Sequence, residues 1–147
     1  MSAEWKEVVA EWQGETTFIG KNALGGSVQM GEIDGMPGIG PMELLLAGLA
    51  GCTGYDVAMI LEKKRQPLQY LKVKVRGKRV DTYPMVYGQI EVEYLFWGEG
   101  LSEKAVEQAI QLSEEKYCSA SVMLGKTAQI TSTYRILSPG ELVEADF

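Results

Sequence analysis

The sequence predicts an α+β fold in the order β-β-β-α-β-β-α-α-β, and three patterns carry that prediction. Short alternating segments fill the first thirty residues, one long apolar helix follows a proline, and two helical stretches separate a pair of strands from a last strand. Strands and helices come in blocks, which argues against a doubly wound parallel sheet.

Val8, Ala10 and Trp12 recur with a period of two, Gln13-Gly14 offers a turn, and residues 15–19 return, so the chain opens with a hairpin. Lys21 to Gly26 reads as a second turn into a short strand near Ser27 to Gly31, and Gly35 to Pro41 is a breaker-rich loop. Pro41 suits the first position of a helix that runs to about Lys64. The basic trio Lys63-Lys64-Arg65 suits its negative C-terminal end, and Pro67 bars continuation.

Leu71, Val73 and Val75 alternate with Lys72, Lys74 and Arg76, which predicts a half-buried strand reaching towards Val80. A partner follows with Val86, Ile90, Val92, Tyr94 and Phe96 on one face and Gln89, Glu91, Glu93 and Trp97 on the other. Ser102 caps the next helix, whose Ala105, Val106, Ala109, Ile110 and Leu112 form an apolar stripe. Cys118 opens a third helix that Gly125 ends, and Ala128, Ile130, Tyr134 and Ile136 sketch the last strand.

Between Leu44 and Leu61 the long helix is apolar all around, so one sheet would leave a greasy face uncovered. A homodimer with these helices near its centre and antiparallel sheets outside would cover it, with Gly48, Gly51 and Gly54 allowing close helix approach. Glu43 and Asp56 bracket the uncharged run well short of the roughly 20 apolar residues of a bilayer span.

With 147 residues, 46% hydrophobic and 23% charged, the chain fits a single domain over residues 1–147. Twenty acidic against 14 basic residues give a net charge of −6, which draws the protein neither to nucleic acid nor to anionic membranes. Met1 to Glu7 lacks a basic segment followed by an apolar one, so no secretory signal is expected and the cytoplasm is the expected location. The last ten residues, Ser138 to Phe147, are expected to be loosely held.

The chain has two cysteines, Cys52 in the long helix and Cys118 at the head of the third, and no histidine. Without an imidazole, Ser-His-Asp and Cys-His hydrolases, HExxH proteases and zinc fingers are excluded. Two cysteines are too few for a structural zinc site or an iron–sulfur cluster, so no metal or cofactor is expected. Thiol redox chemistry and inert burial are the readings that remain.

The segments GPMELLLAGLAGCTGYDVAMIL and EKYCSASVMLGKTAQITSTY, their separation and the order of elements resemble the OsmC/Ohr family of osmotically inducible and organic hydroperoxide resistance proteins, and most of all its YhfA-like branch. The resemblance implies intertwined dimers with sites at the interface and an antioxidant oxidoreductase activity, the reduction of organic hydroperoxides without metal or flavin. By matching motifs it makes Cys52 the peroxidatic thiol, oxidised to a sulfenic acid, and Cys118 the resolving thiol that closes a disulfide. A lipoyl-type dithiol would be the reductant. Independently of the family, a helix N-terminus favours the thiolate of Cys118.

Peroxidases of this family use an N-terminal arginine to activate the thiolate and a glutamate directly after the helix-opening proline to hold it. Here no arginine precedes Arg65, and Met42 follows Pro41. Glu43 is the neighbouring acid, but nine residues at 100° place it half a turn from the Cys52 face. Lys21 falls loosely near the arginine's usual position, without the planar fork that grips a carboxylate. Asp56, four residues after Cys52, shares the thiol's face and would act as a proton acceptor or through an intervening cation. The alternative is a non-catalytic protein on the same scaffold that binds a small hydrophobic or thiol-bearing ligand at the dimer interface.

Overall fold

Val8–Gly14 (β1), Thr17–Asn22 (β2) and Ser27–Met30 (β3) form an antiparallel meander at the start of the chain. The computed structural model describes residues 4–143, and the chain divides after Leu45 into two compact units. In the first unit the hairpin expected from the period-two pattern is in place, with Trp12 opposite Phe18 and Val8 opposite Asn22. Asn22 sets the second turn: its Oδ1 accepts the N–H groups of Leu24 at 3.1 Å and Gly26 at 2.8 Å, a local bond that asparagine offers readily.

Helix α1, Pro41–Lys63, begins in the first unit and continues through the second. It matches its predicted start and ends one residue early, and Arg65 after it takes a left-handed φ of 56°. Leu49, Thr53, Val57 and Leu61, spaced four apart, form its buried stripe. By length and composition α1 is apolar enough to cross a membrane, because the apolar run resumes after Asp56 and continues to Leu61. Its Thr53 and Asp56 are nevertheless bonded to groups of the second unit, as a core helix would be.

The second unit holds a sheet of Tyr70–Arg79 (β4), Tyr87–Trp97 (β5) and Gln129–Leu137 (β6), with β5 in the middle. Alternation placed the β5 side chains correctly: Ile90, Val92, Tyr94 and Phe96 are buried, each apolar side chain contributing about 1.5–3 kcal/mol. Leu95, on the opposite face, is buried as well. While β4 and β5 pair antiparallel, β6 lies parallel to β5, an arrangement that needs a long crossover. Glu103–Leu112 (α2), a π-helical turn at Ser113–Tyr117 and Ser119–Leu124 (α3) supply it.

Gly54 is the glycine of α1 that an inward contact requires, since a Cβ there would sit 3.2 Å from Cγ2 of Val73 on β4. Gly48 and Gly51 meet nothing within 4 Å. At the C-terminal end the chain is held more firmly than expected, because Trp97 Nε1 donates to the Glu141 carbonyl at 2.7 Å and Ser138 N–H to the Glu141 carboxylate at 3.2 Å. The remainder of that expectation, from residue 144 on, and the first three residues of the expected signal-free N-terminus lie outside the described residues.

Candidate functional site

Ser102 starts the polypeptide's approach to the site. Its Oγ accepts the Ala105 N–H at 3.2 Å and caps α2. After Leu112 the helix widens into the π-helical turn, and the Cys118 N–H closes it on the Ser113 carbonyl at 2.7 Å. Cys118 thereby becomes the N-cap of α3, with its Sγ accepting the Ser121 N–H at 3.4 Å.

This turn delivers Cys118 to the middle of α1. The Sγ atoms of Cys52 and Cys118 and a carboxylate oxygen of Asp56 all lie within 4.8 Å of one another. Cys118 is 1% exposed, whereas Cys52 and Asp56 are half-buried, so a reagent from solvent meets Cys52 first. Among the described residues these three donors could hold a metal ion: they are one short of the four that a closed structural zinc site takes and match the three of an open one.

Burial pushes the Cys118 thiol above its ordinary value of 9.0, and the neighbouring Cys52 pushes the same way. The Ser121 N–H and hydroxyl act in the opposite direction. A capping position does favour the thiolate, as the sequence suggested, but the loss of solvent outweighs it and Cys118 rests as a neutral thiol.

A chain of hydroxyl groups leads away from Asp56. Ser113 Oγ donates to Asp56 Oδ2 at 3.0 Å, Ser113 and Thr53 share a hydrogen bond of 2.8 Å, and Thr53 and Tyr94 share another of 2.8 Å. Tyr94 Oη then lies 3.4 Å from Glu114 Oε2, and Ser132 Oγ donates to the same carboxylate. Thr53, Tyr94 and Ser113 are fully buried, and burial is also the main reason the Tyr94 hydroxyl is pushed above its ordinary range. Only Thr53, three residues before Asp56 and on the inward side of α1, carried a signal in the sequence: a polar residue in a buried stripe demands partners.

The remaining predicted residues are placed differently. Glu43 Oε1 accepts the Gly40 N–H at 2.7 Å, the reciprocal half of a capping box at the start of α1. Lys21 Nζ pairs with Glu11 Oε1 at 3.2 Å on the exposed face of the first hairpin. Three arginines of the second unit are also engaged: Arg76 with Glu91 at 2.7 Å, Arg79 with the Met85 carbonyl at 2.6 Å and Arg135 with Glu93 at 3.9 Å. A groove of about 490 Å³ opens beside Asp56, walled by Tyr55, Met59, Ile60, Leu112 and Tyr117, with Lys63 and Lys64 at its edge.

The sequence model of the OsmC-like protein family matches residues 33–133. Protein YhfA of Escherichia coli (strain K12) is 34% identical over 128 residues, which cover 87% of this chain and 96% of that protein. A solved structure of a hypothetical protein from Aquifex aeolicus VF5 matches with a TM-score of 0.83 and 39% identity, over 92% of this chain and 98% of that one. More distantly, an organic hydroperoxide resistance protein OsmC from Legionella pneumophila, described as a predicted redox protein, shares the fold with a TM-score of 0.67 at 13% identity, over 91% and 98% of the two chains. The chain belongs to the OsmC-like family.

Proposed function

We propose that this OsmC-like chain is a single-domain, cytoplasmic, homodimeric thiol peroxidase that reduces organic hydroperoxides. The observation that carries the reading is the asymmetric thiol pair: an accessible Cys52 and a sealed Cys118 with sulfurs within 4.8 Å, beside a carboxylate. The solved redox relatives of the same fold support it.

Cys52 thiolate attacks the outer oxygen of the hydroperoxide, the O–O bond breaks, and the alkoxide takes one proton to leave as the alcohol. Cys52 is then a sulfenic acid. Cys118 gives its proton to Asp56 and attacks the Cys52 sulfur, the S–OH bond breaks, and the hydroxide leaves as water with a proton from solvent. A dithiol reduces the resulting disulfide and is itself oxidised. In this scheme Asp56 receives and returns protons, while the groove beside it takes the organic part of the peroxide. Lys21 and Glu43 serve the scaffold through their pairing and capping contacts.

The test is cumene hydroperoxide consumption in the presence of a dithiol, for the wild type and for Cys52→Ser and Cys118→Ser. Turnover abolished by Cys52→Ser supports the peroxidase, and turnover no faster than the free dithiol overturns it. The second reading, a binding protein for a small apolar or thiol-bearing ligand, is favoured by the apolar walls of the groove and would then take its place.

A further inference from the structure

Between Asp56 and Glu114 run four links: Asp56 to Ser113, Ser113 to Thr53, Thr53 to Tyr94, and Tyr94 to Glu114. The three hydroxyls in between own three protons, and the Ser132 proton is already spent on Glu114. With both carboxylates ionised, one link must therefore stay open. The distances say which: three links measure 3.0, 2.8 and 2.8 Å, and the fourth, Tyr94 to Glu114, measures 3.4 Å. Keeping the three short links requires every hydroxyl proton to point towards Asp56, Tyr94 to Thr53, Thr53 to Ser113 and Ser113 to the carboxylate, and leaves the long Tyr94–Glu114 contact as the weakest link.

We propose that Ser113, Thr53 and Tyr94 form a proton relay that joins the thiol pair, through Asp56, to Glu114 at the surface of the sheet. It rests on the thiol-redox reading of the site. When Cys118 gives up its proton to Asp56, the three hydroxyls turn around and Tyr94 donates to Glu114. Each oxygen then passes one proton on, so that Asp56 is ionised again and Glu114 carries the proton. No bond other than O–H is made or broken, and the hydroxyls end facing Asp56 as they began. The half-buried Glu114, held by the exposed Ser132, exchanges that proton with water. The relay answers a specific difficulty: Cys118 is a neutral thiol in a sealed place, and it must be deprotonated before it can attack.

The test uses 4,4′-dithiodipyridine on the reduced full-length protein, which needs no peroxide. Cys52 releases one thiopyridone as it forms a mixed disulfide, and Cys118 releases the second as it closes the protein disulfide. The rate of the second release is measured in mixtures of water and deuterium oxide. For the wild type a curved dependence on the deuterium fraction is expected, the signature of several protons moving together. Thr53→Val, which cuts the relay in its middle, and Glu114→Gln, which removes its surface acceptor without touching the buried part, should each slow the release about 10- to 100-fold and make the dependence linear. Thr53→Ser, which restores the hydroxyl, should recover both rate and curvature. A linear dependence in the wild type, or wild-type rate and curvature in Thr53→Val and Glu114→Gln, overturns the relay. Failure of the peroxidase reading shows elsewhere, as absent peroxide turnover with the two-step thiopyridone release intact.

Discussion

Cys52 and Cys118 hold their sulfurs within 4.8 Å of each other, yet only Cys52 is open to solvent. The gap is wider than a disulfide of about 2.05 Å, so closing it takes a side-chain rotation at one or both cysteines. A reagent from solvent thereby reaches the outer thiol before the inner one.

Cys118→Ser is accordingly expected to stop the reaction halfway. After one equivalent of cumene hydroperoxide the variant should carry a sulfenic acid on Cys52 that dimedone traps, seen as a single adduct by intact-protein mass spectrometry. In the wild type a loss of two mass units should replace the adduct. Equal dimedone labelling of both proteins would argue that Cys118 does not resolve Cys52.

Raised ionisation of a buried group makes stability depend on pH, and here the sign is fixed. Above the ordinary thiol value of 9.0 the unfolded chain gives up the Cys118 proton while the folded chain keeps it. The unfolded state then binds fewer protons, so stability is complete below pH 9 and falls as pH rises towards the folded value. Tyr94, also raised by burial, extends the fall above its ordinary 10.0. Urea midpoints measured from pH 8 upwards should decline less steeply just above pH 9 in Cys118→Ser than in the wild type, and parallel curves would contradict this account.

The buried hydroxyls also have a static role. Thr53→Val leaves the Ser113 and Tyr94 hydroxyls each short of a partner, and should cost about 1–3 kcal/mol in urea unfolding. Thr53→Ser should cost clearly less. Equal losses for the two would mean that the deleted methyl packs as strongly as the hydroxyl bonds, and an unchanged stability in Thr53→Val would overturn the account.

Glu43 offers a simpler measurement. Replacing it by alanine removes the acceptor of the Gly40 N–H and should lower stability by about 0.5–1 kcal/mol, whereas Glu43→Gln, which keeps an acceptor oxygen, should be nearly neutral. Unchanged stability together with a lost thiol reaction would return Glu43 to the chemistry.

Tyr55 is 67% exposed and Met59 is also open on the outer face of α1. If that face meets a second copy, sedimentation equilibrium should give twice the 16.2 kDa chain mass, and Tyr55→Glu should shift it to the monomer. A wild-type monomer, or a dimer unchanged by Tyr55→Glu, would overturn this interface.

Most of the fold was legible because the elements carry clean periods or clear boundaries: the period of two in β4 and β5, Ser102 before the amphipathic α2, and Pro41 before the apolar α1. The direction of β6 was not, because an alternating strand reads the same parallel or antiparallel. Of the site, the cysteines and Asp56 were visible as residue types at telling positions. Ser113 and Tyr94 were not, since each is an ordinary residue until tertiary packing brings it to Thr53, 60 and 41 positions away in sequence. Glu43 was visible but ambiguous, because an acid in the first turn of a helix caps it as readily as it serves chemistry.

The π-helical turn makes the reading frame of the helix part of the site. It holds one residue more per turn than an α-helix, between Ser113 and Tyr117. Winding the same five residues as regular α-helix would swing everything behind them by about 100°. Cys118 would leave Cys52 without any change to either cysteine. The extra residue of this turn thus sets where Cys118 points, although Glu115, Lys116 and Tyr117 lie exposed at the surface.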